Sequence, residues 1–406
     1  TLKTYSEHTI EYPYPVAISV NATSIGMEYP MIRFNYGRPE EDGTYTERLK
    51  YGVISVIIHE VGHNFFPMIV NSDERQWTWM DEGLNTFCQY LAEKEWDVDY
   101  PSRRGPAYKI VDYMKGNKEN ITPIMTNSES VIQFGNNAYG KPATALNILR
   151  ETIMGRELFD YAFKQYATHW MFKHPTPADF FRIMEDASAV DLDWFWRGWF
   201  FTTDHVDIAI DKVKWYRLDS KNPDVEFPKK KADLEEQEEF IGDVRNEVNR
   251  PNTVVEQDPT TKDFYNTHDP FNVTSVDREE YEEYVSSLDD KEKKQLKFDK
   301  NIYEIQFSSP GGLVMPIILE FTFVDNSTEK IHIPAEIWKM NYKNVSKLFI
   351  FEKELKEINL DPNLETADVD RSNNYWPPRI EKNRFTLFKE KQMQRENEMQ
   401  RAKRAK

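Results

Sequence analysis

Apolar and polar positions repeat along this chain with two different periods. Between about residues 296 and 365 the period is two. Ile302-Tyr-Glu-Ile-Gln-Phe307 alternates, Ile317 to Phe323 is β-branched and aromatic, and Asp325-Asn326 marks a turn before Lys330-Ile-His-Ile333. Short strands joined by polar turns predict a small β-sandwich. From Pro142 to about Phe201 the signals are helical. Pro142 suits a first helical turn, Gly155 a C-terminal cap, and Thr176-Pro177-Ala178-Asp179 a capped start, which together predict an α-helical subdomain. Nearer the start, Leu84, Phe87, Cys88 and Leu91 share one face of a helix opened by Asp81 as N-cap, and Cys88 on that stripe reads as core.

Val53-Ile-Ser-Val-Ile-Ile58 is β-branched and by local propensity would pass as a buried strand. The residues that follow it, His59-Glu60-Val61-Gly62-His63, argue for helix instead. Two histidines four apart on a helix project from one face and can share a metal ion, whereas in a strand they would lie about 13 Å apart. The prediction is a buried helix ended near Pro67. Glu82, in the first turn of the next helix, can turn back toward the histidines and complete a two-His, one-Glu set that leaves a fourth position for water, as zinc requires. Thr86, one turn beyond Glu82, could orient a metal-bound imidazole or simply face solvent. Gly62 inside the metal helix costs about 1 kcal/mol relative to Ala, which tight packing would offset.

Charge changes the picture of the second half. The chain of 406 residues has 69 acidic and 52 basic side chains, a net charge of −17, which excludes nucleic acid as a general partner. Most of the excess lies in Asp233 to Asp290, which reads as an acidic linker or insert, solvated and partly helical or flexible. Arg379 to Lys406 is basic and free of Gly and Pro, and predicts a charged helical tail. No apolar run is long enough to span a bilayer. The single cysteine excludes internal disulfides, and a start on Thr1 reads as a cut from a longer precursor, so that any targeting signal would lie upstream.

His59-Glu60-x-x-His63 followed by Glu82 in Trp79-Met-Asp-Glu-Gly83 resembles the gluzincin zinc metallopeptidases, specifically the aminopeptidase N family. Ile25-Gly26-Met27-Glu28-Tyr29-Pro30 resembles that family's Gly-x-Met-Glu-Asn signature, and Ala138-Tyr139-Gly140-Lys141 its Tyr-x-Lys segment. The resemblance implies one Zn2+ held by His59, His63 and Glu82, and Glu60 as general base. It implies Tyr139 as stabiliser of the tetrahedral intermediate, and Glu28, with Gly26 and Met27, as the site for the free N-terminus of a peptide substrate. Ile25 stands where the family often has Gly, Tyr29 where it often has Asn, and Asp81 replaces the usual Asn, adding charge near the metal.

The implied architecture is α+β and multidomain. It comprises the C-terminal part of a thermolysin-like catalytic domain (1–138), an α-helical subdomain (139–205), the acidic linker or insert (206–295), a β-sandwich-like domain (296–376) and the charged tail (377–406). An N-terminal domain of the same precursor is expected upstream, and the resemblance to exported bacterial members points to a periplasmic or extracellular location. The expected activity is a zinc-dependent aminopeptidase. The alternatives are a zinc endopeptidase or other hydrolase, and a non-catalytic binding or scaffold relative; none of His59, Glu60, His63, Glu82 or Tyr139 is lost, which weighs against the scaffold.

Overall fold

The computed structural model describes residues 1–380 and 396–405, and begins with a helix, Leu2–His8 (α1). Strands Ile18–Ala22 (β1), Met27–Tyr29 (β2) and Ile32–Tyr36 (β3) then form a sheet in the order β1-β3-β2, with β1 parallel and β2 antiparallel to β3. Glu28 faces Arg33 across the antiparallel pair. The next element is helix Glu47–Gly62 (α2), opened by the Thr46 hydroxyl, which accepts from the Leu49 amide. Its β-branched run is helical throughout, held by contacts with β3, α1 and the following helix, but it is less buried than predicted: Val53 to Ile57 are half-buried, and only the end of the helix, Ile58 and Glu60 to Gly62, is buried.

α2 ends at Gly62, not near Pro67. Asn64–Ile69 is a separate, wider helical turn broken at Phe66 (φ −130°, ψ 115°), with a cis Phe66–Pro67 peptide. The residue before a proline is driven out of the α region, so the regular helix stops short of it. A second wide turn, Trp79–Gly83, runs directly into helix Leu84–Trp96 (α3). Trp79 anchors it, its ring 4.8 Å from Phe200 and 5.7 Å from Phe180. Beyond the short helix Val111–Lys115 (α4) come Lys141–Ile148 (α5), Arg156–Trp170 (α6), Pro177–Ser188 (α7) and Asp193–Phe201 (α8). Pro142 lies in the first turn of α5, and the Thr176 amide and hydroxyl both donate to Asp179 at the start of α7. Phe87, Phe159, Phe163 and Phe180 form a continuous aromatic core between these helices and α3.

Contacts divide the chain into two units, one of Thr1–Val213, Ile305–Lys347 and Leu355–Lys406, the other of Lys214–Glu304 and Leu348–Glu354. The second contains helices Pro223–Glu235 (α9), Ile241–Val248 (α10), Val254–Gln257 (α11), Ser275–Ser287 (α12) and Asp290–Leu296 (α13). The acidic stretch is thus built of short, mostly exposed helices, several opened by reciprocal caps such as Thr274 with Asp277. Strands Ala209–Tyr216 (β4), Asn301–Ser308 (β5) and Asn344–Phe351 (β8) pair in the order β4-β5-β8, and the chain passes between units within them. In the first unit, Ile317–Phe323 (β6), Thr328–Ile333 (β7), Leu355–Leu360 (β9) and Tyr375–Trp376 (β10) form an antiparallel sheet in the order β10-β9-β6-β7. Asn326, at φ +64°, makes the predicted turn between β6 and β7. Of the predicted tail, residues 381–395 and 406 lie outside the described residues, and Glu398–Arg404 (α14) is helical.

Candidate metal centre and active site

His59 lies in the last turn of α2 and His63 caps it, which turns both rings toward the start of α3. Their centroids are 4.5 Å apart and nearly perpendicular. Glu82 meets both: its Oε2 is 3.0 Å from His59 Nε2 and 3.5 Å from His63 Nε2. One ligand atom from each of the three residues lies within 4.8 Å of the other two. Two imidazole nitrogens and a carboxylate oxygen converging in this way suit zinc.

The far edges of the rings are held by groups that sequence reasoning did not select. His59 Nδ1 is 2.9 Å from Gln89 Oε1, and Gln89 donates its own amide to Glu93 at 2.8 Å. Because the Gln89 amide nitrogen is committed to Glu93, its oxygen faces His59 Nδ1, where the Asn85 amide nitrogen also lies at 3.3 Å, and Nε2 is the nitrogen turned to Glu82. His63 Nδ1 is hydrogen-bonded to the Phe66 carbonyl oxygen at 3.0 Å, and Asp81 Oδ1 lies 2.9 Å from the same nitrogen as an ion-pair contact outside hydrogen-bond geometry. Asp81 is therefore not the N-cap of α3; it sits inside the wide turn, buried, with its carboxylate turned to His63. Thr86 is buried and its hydroxyl has no hydrogen-bond partner among the described residues, so it orients neither ring. Gln89 follows Glu82 by seven residues, two helical turns, and that spacing was the available signal.

Gly26, Met27, Glu28, His59, Glu60, His63, Glu82 and Tyr139 all line one cavity of about 390 Å³. The Tyr139 ring, in the turn Gly135–Gly140 that precedes α5, stacks on His59 at 5.7 Å. A Cβ on Gly26 would stand 2.7 Å from Glu60 Oε1, so the bare backbone at Gly26 is what lets that carboxylate lie against β2. Glu60 Oε2 is buried without a hydrogen-bond partner among the described residues.

Residues 4–199 match the family model described as the peptidase family M1 domain. This segment is a peptidase family M1 domain. Among curated proteins, glutamyl aminopeptidase of Bos taurus is 25% identical over 171 residues, 41% of this chain and 18% of the relative. Probable aminopeptidase 1 of Sulfurisphaera tokodaii is 23% identical over 232 residues, 52% of this chain and 29% of the relative. The solved structure of Legionella pneumophila aminopeptidase A in complex with aspartic acid shares the fold, with a TM-score of 0.51 at 13% identity over 90% of this chain and 33% of that one. The chain thus spans a third or less of the length of each of these proteins.

Electrostatics in the M1 domain follow from burying several charges together. Burial raises the Glu60 carboxyl to about 7; His63 opposes this, and Glu28, Glu82 and Asp81 add to it. Burial also works against ionised Glu82, but hydrogen bonds from His59 and His63, with the charge of both rings, hold its carboxyl below the usual range. Burial and the neighbouring His63 lower His59. For His63 itself, burial is outweighed by Asp81 and Glu82, and its proton is held well above the ordinary histidine range.

Proposed function

We propose that the protein is a zinc-dependent aminopeptidase that removes N-terminal residues from peptides, with one zinc ion held by His59, His63 and Glu82. The observation that carries this reading is the place of Glu28, a carboxylate outside the ligand set. An oxygen of Glu28, an oxygen of Glu60 and a ring nitrogen of His63 lie within 4.8 Å of one another. A substrate ammonium held by Glu28 sets its first peptide bond beside Glu60; an internal peptide bond has no cation to offer there. The aminopeptidase relatives support the same class.

Bound zinc would supply Lewis acidity, making water available as a nucleophile near neutral pH. Glu60, with one oxygen free, takes a proton from the attacking water and delivers it to the leaving amine. Tyr139 stays protonated, because burial first and the charge of Glu82 next push its pKa up, and it donates to the carbonyl oxygen as negative charge develops. Deleting such a donor costs about 3–4 kcal/mol in the transition state. Gly26 and Met27 border the substrate's approach with backbone and an adaptable apolar side chain.

The test compares hydrolysis of free and N-acetylated aminoacyl substrates by the zinc-loaded chain and its Glu60→Gln variant. Only free-amine substrates should be cleaved, and the variant should keep its zinc while losing about 10²–10⁴-fold or more in turnover. Equal cleavage of acetylated substrates would sink the aminopeptidase, and near-normal turnover by the variant would remove Glu60 from its role.

A further inference from the structure

The cavity is lined by side chains of both charges. Glu28, Glu60, Glu82 and Glu93 line it, and the lysine and arginine side chains among its lining residues are Arg103 and Arg104. Two of the carboxylates have partners in the protein. Glu82 holds both imidazoles, and Glu93 accepts from the Ser55 hydroxyl and the Gln89 amide, each at 2.8 Å. Arg104 is half-buried, and among the described residues it has no hydrogen bond or ion pair. Its guanidinium carbon sits 4.5 Å from the centroid of the Tyr139 ring, and a Cβ on Gly135 would lie 3.5 Å from its Nη2. Arg150 shows the contrast, its fork closed on Asp160 at 2.7 and 2.8 Å.

A guanidinium resting on an aromatic face is held by that face and keeps its planar N–H edge for a bidentate partner. Carboxylates match that edge best. Arg104 also lies beside Tyr139, the residue read above as the donor to the scissile carbonyl, whereas Glu28 lies beside Glu60. The cavity therefore offers an anion for an ammonium at one place and a cation for a carboxylate at another. An anionic substrate would otherwise be repelled by the carboxylates around it.

We propose that Arg104 is a specificity-determining residue that binds a carboxylate of the substrate, giving the cavity a preference for peptides with a carboxylate close to the first peptide bond. This rests on the aminopeptidase reading above. The carboxylate has two possible sources, the side chain of an acidic N-terminal residue or the α-carboxylate of a dipeptide.

Equilibrium binding to the zinc-loaded whole chain carrying Glu60→Gln, which prevents turnover, tests the proposal directly by calorimetry. Glu-Ala-amide is compared with Gln-Ala-amide, and Ala-Ala with Ala-Ala-amide, before and after Arg104→Gln. At least one acid should bind about tenfold or more tighter than its neutral partner, as expected of a charge-assisted hydrogen bond. Arg104→Gln should abolish that difference while changing the neutral peptides less than about twofold, and Arg104→Lys should restore part of it. Preference in the first pair assigns the side chain, and preference in the second assigns the C-terminus. Binding of all four peptides with no acid preference, or a preference that survives Arg104→Gln, overturns this inference and leaves the aminopeptidase reading standing. A variant that weakens neutral and acidic peptides equally assigns Arg104 to holding Tyr139 and also overturns it. If none of the four peptides binds, both readings fail.

Discussion

Asp81 Oδ1 stands 2.9 Å from Nδ1 of His63, on the edge of the ring away from Glu82. The contact gives Asp81 two opposed effects. It makes the imidazole a better donor to a metal, and it stabilises the imidazolium that a metal must displace.

The second effect predicts a pH dependence. His63 has a folded pKa held above its unfolded value by Asp81 and Glu82 against the pull of burial. The imidazolium therefore stabilises the zinc-free fold fully below the unfolded pKa of about 6.5, and that contribution fades as pH rises through the folded pKa. Zinc competes for the same nitrogens, so its apparent affinity should rise with pH, by up to about tenfold per unit for one displaced proton. Asp81→Asn removes the charge that holds the proton. Zinc titrations against a competing chelator at several pH values should show a flatter dependence in Asp81→Asn than in the native chain; an unchanged slope would exclude Asp81 from the proton's binding site.

Gln89 makes a separate prediction. It accepts from His59 while donating to Glu93, so its orientation and that of the ring are set together. Gln89→Leu keeps the volume and removes the acceptor, and should weaken zinc binding by about 10–100-fold without unfolding α3. The same chelator titration, with far-ultraviolet circular dichroism as control, measures it. Affinity within twofold of native would mean that another group orients His59.

Gly62 tests packing. Alanine is favoured over glycine inside a helix by about 1 kcal/mol. Here, however, a Cβ would lie 2.1 Å from Asn85 Oδ1 and 2.2 Å from the Tyr5 hydroxyl. Those atoms are joined by a 2.7 Å hydrogen bond, and Asn85 also donates to the His59 carbonyl oxygen at 2.9 Å. Overpacking of this kind costs about 1–3 kcal/mol, so Gly62→Ala should lower the urea midpoint with the slope unchanged. A raised midpoint would show that propensity wins and that the contact relaxes freely.

How much of this was legible beforehand depends on the range of the cause. The spacing of His59 and His63 carries its own geometry, since a helix puts residues four apart on one face whatever surrounds it. The strands β5 to β7 and the capped start of α7 are local in the same sense, and each is written in a few adjacent residues. The β-branched run before His59 points locally the wrong way, and only the metal-binding logic of the histidines selected the helix that contacts with β3, α1 and α3 then hold. The helix end at Gly62 and the place of Asp81 were misjudged for a related reason. Both lie in wide turns, Asn64–Ile69 and Trp79–Gly83, whose shape is set by packing and by the partner each side chain finds across the site. By itself the sequence determined the donor types and the helical spacing at the centre. Tertiary structure alone decided that Gln89 and Asp81 hold the rings, that a bare backbone at Gly26 admits Glu60, and that Arg104 rests on Tyr139, because each joins residues whose meeting no local period encodes.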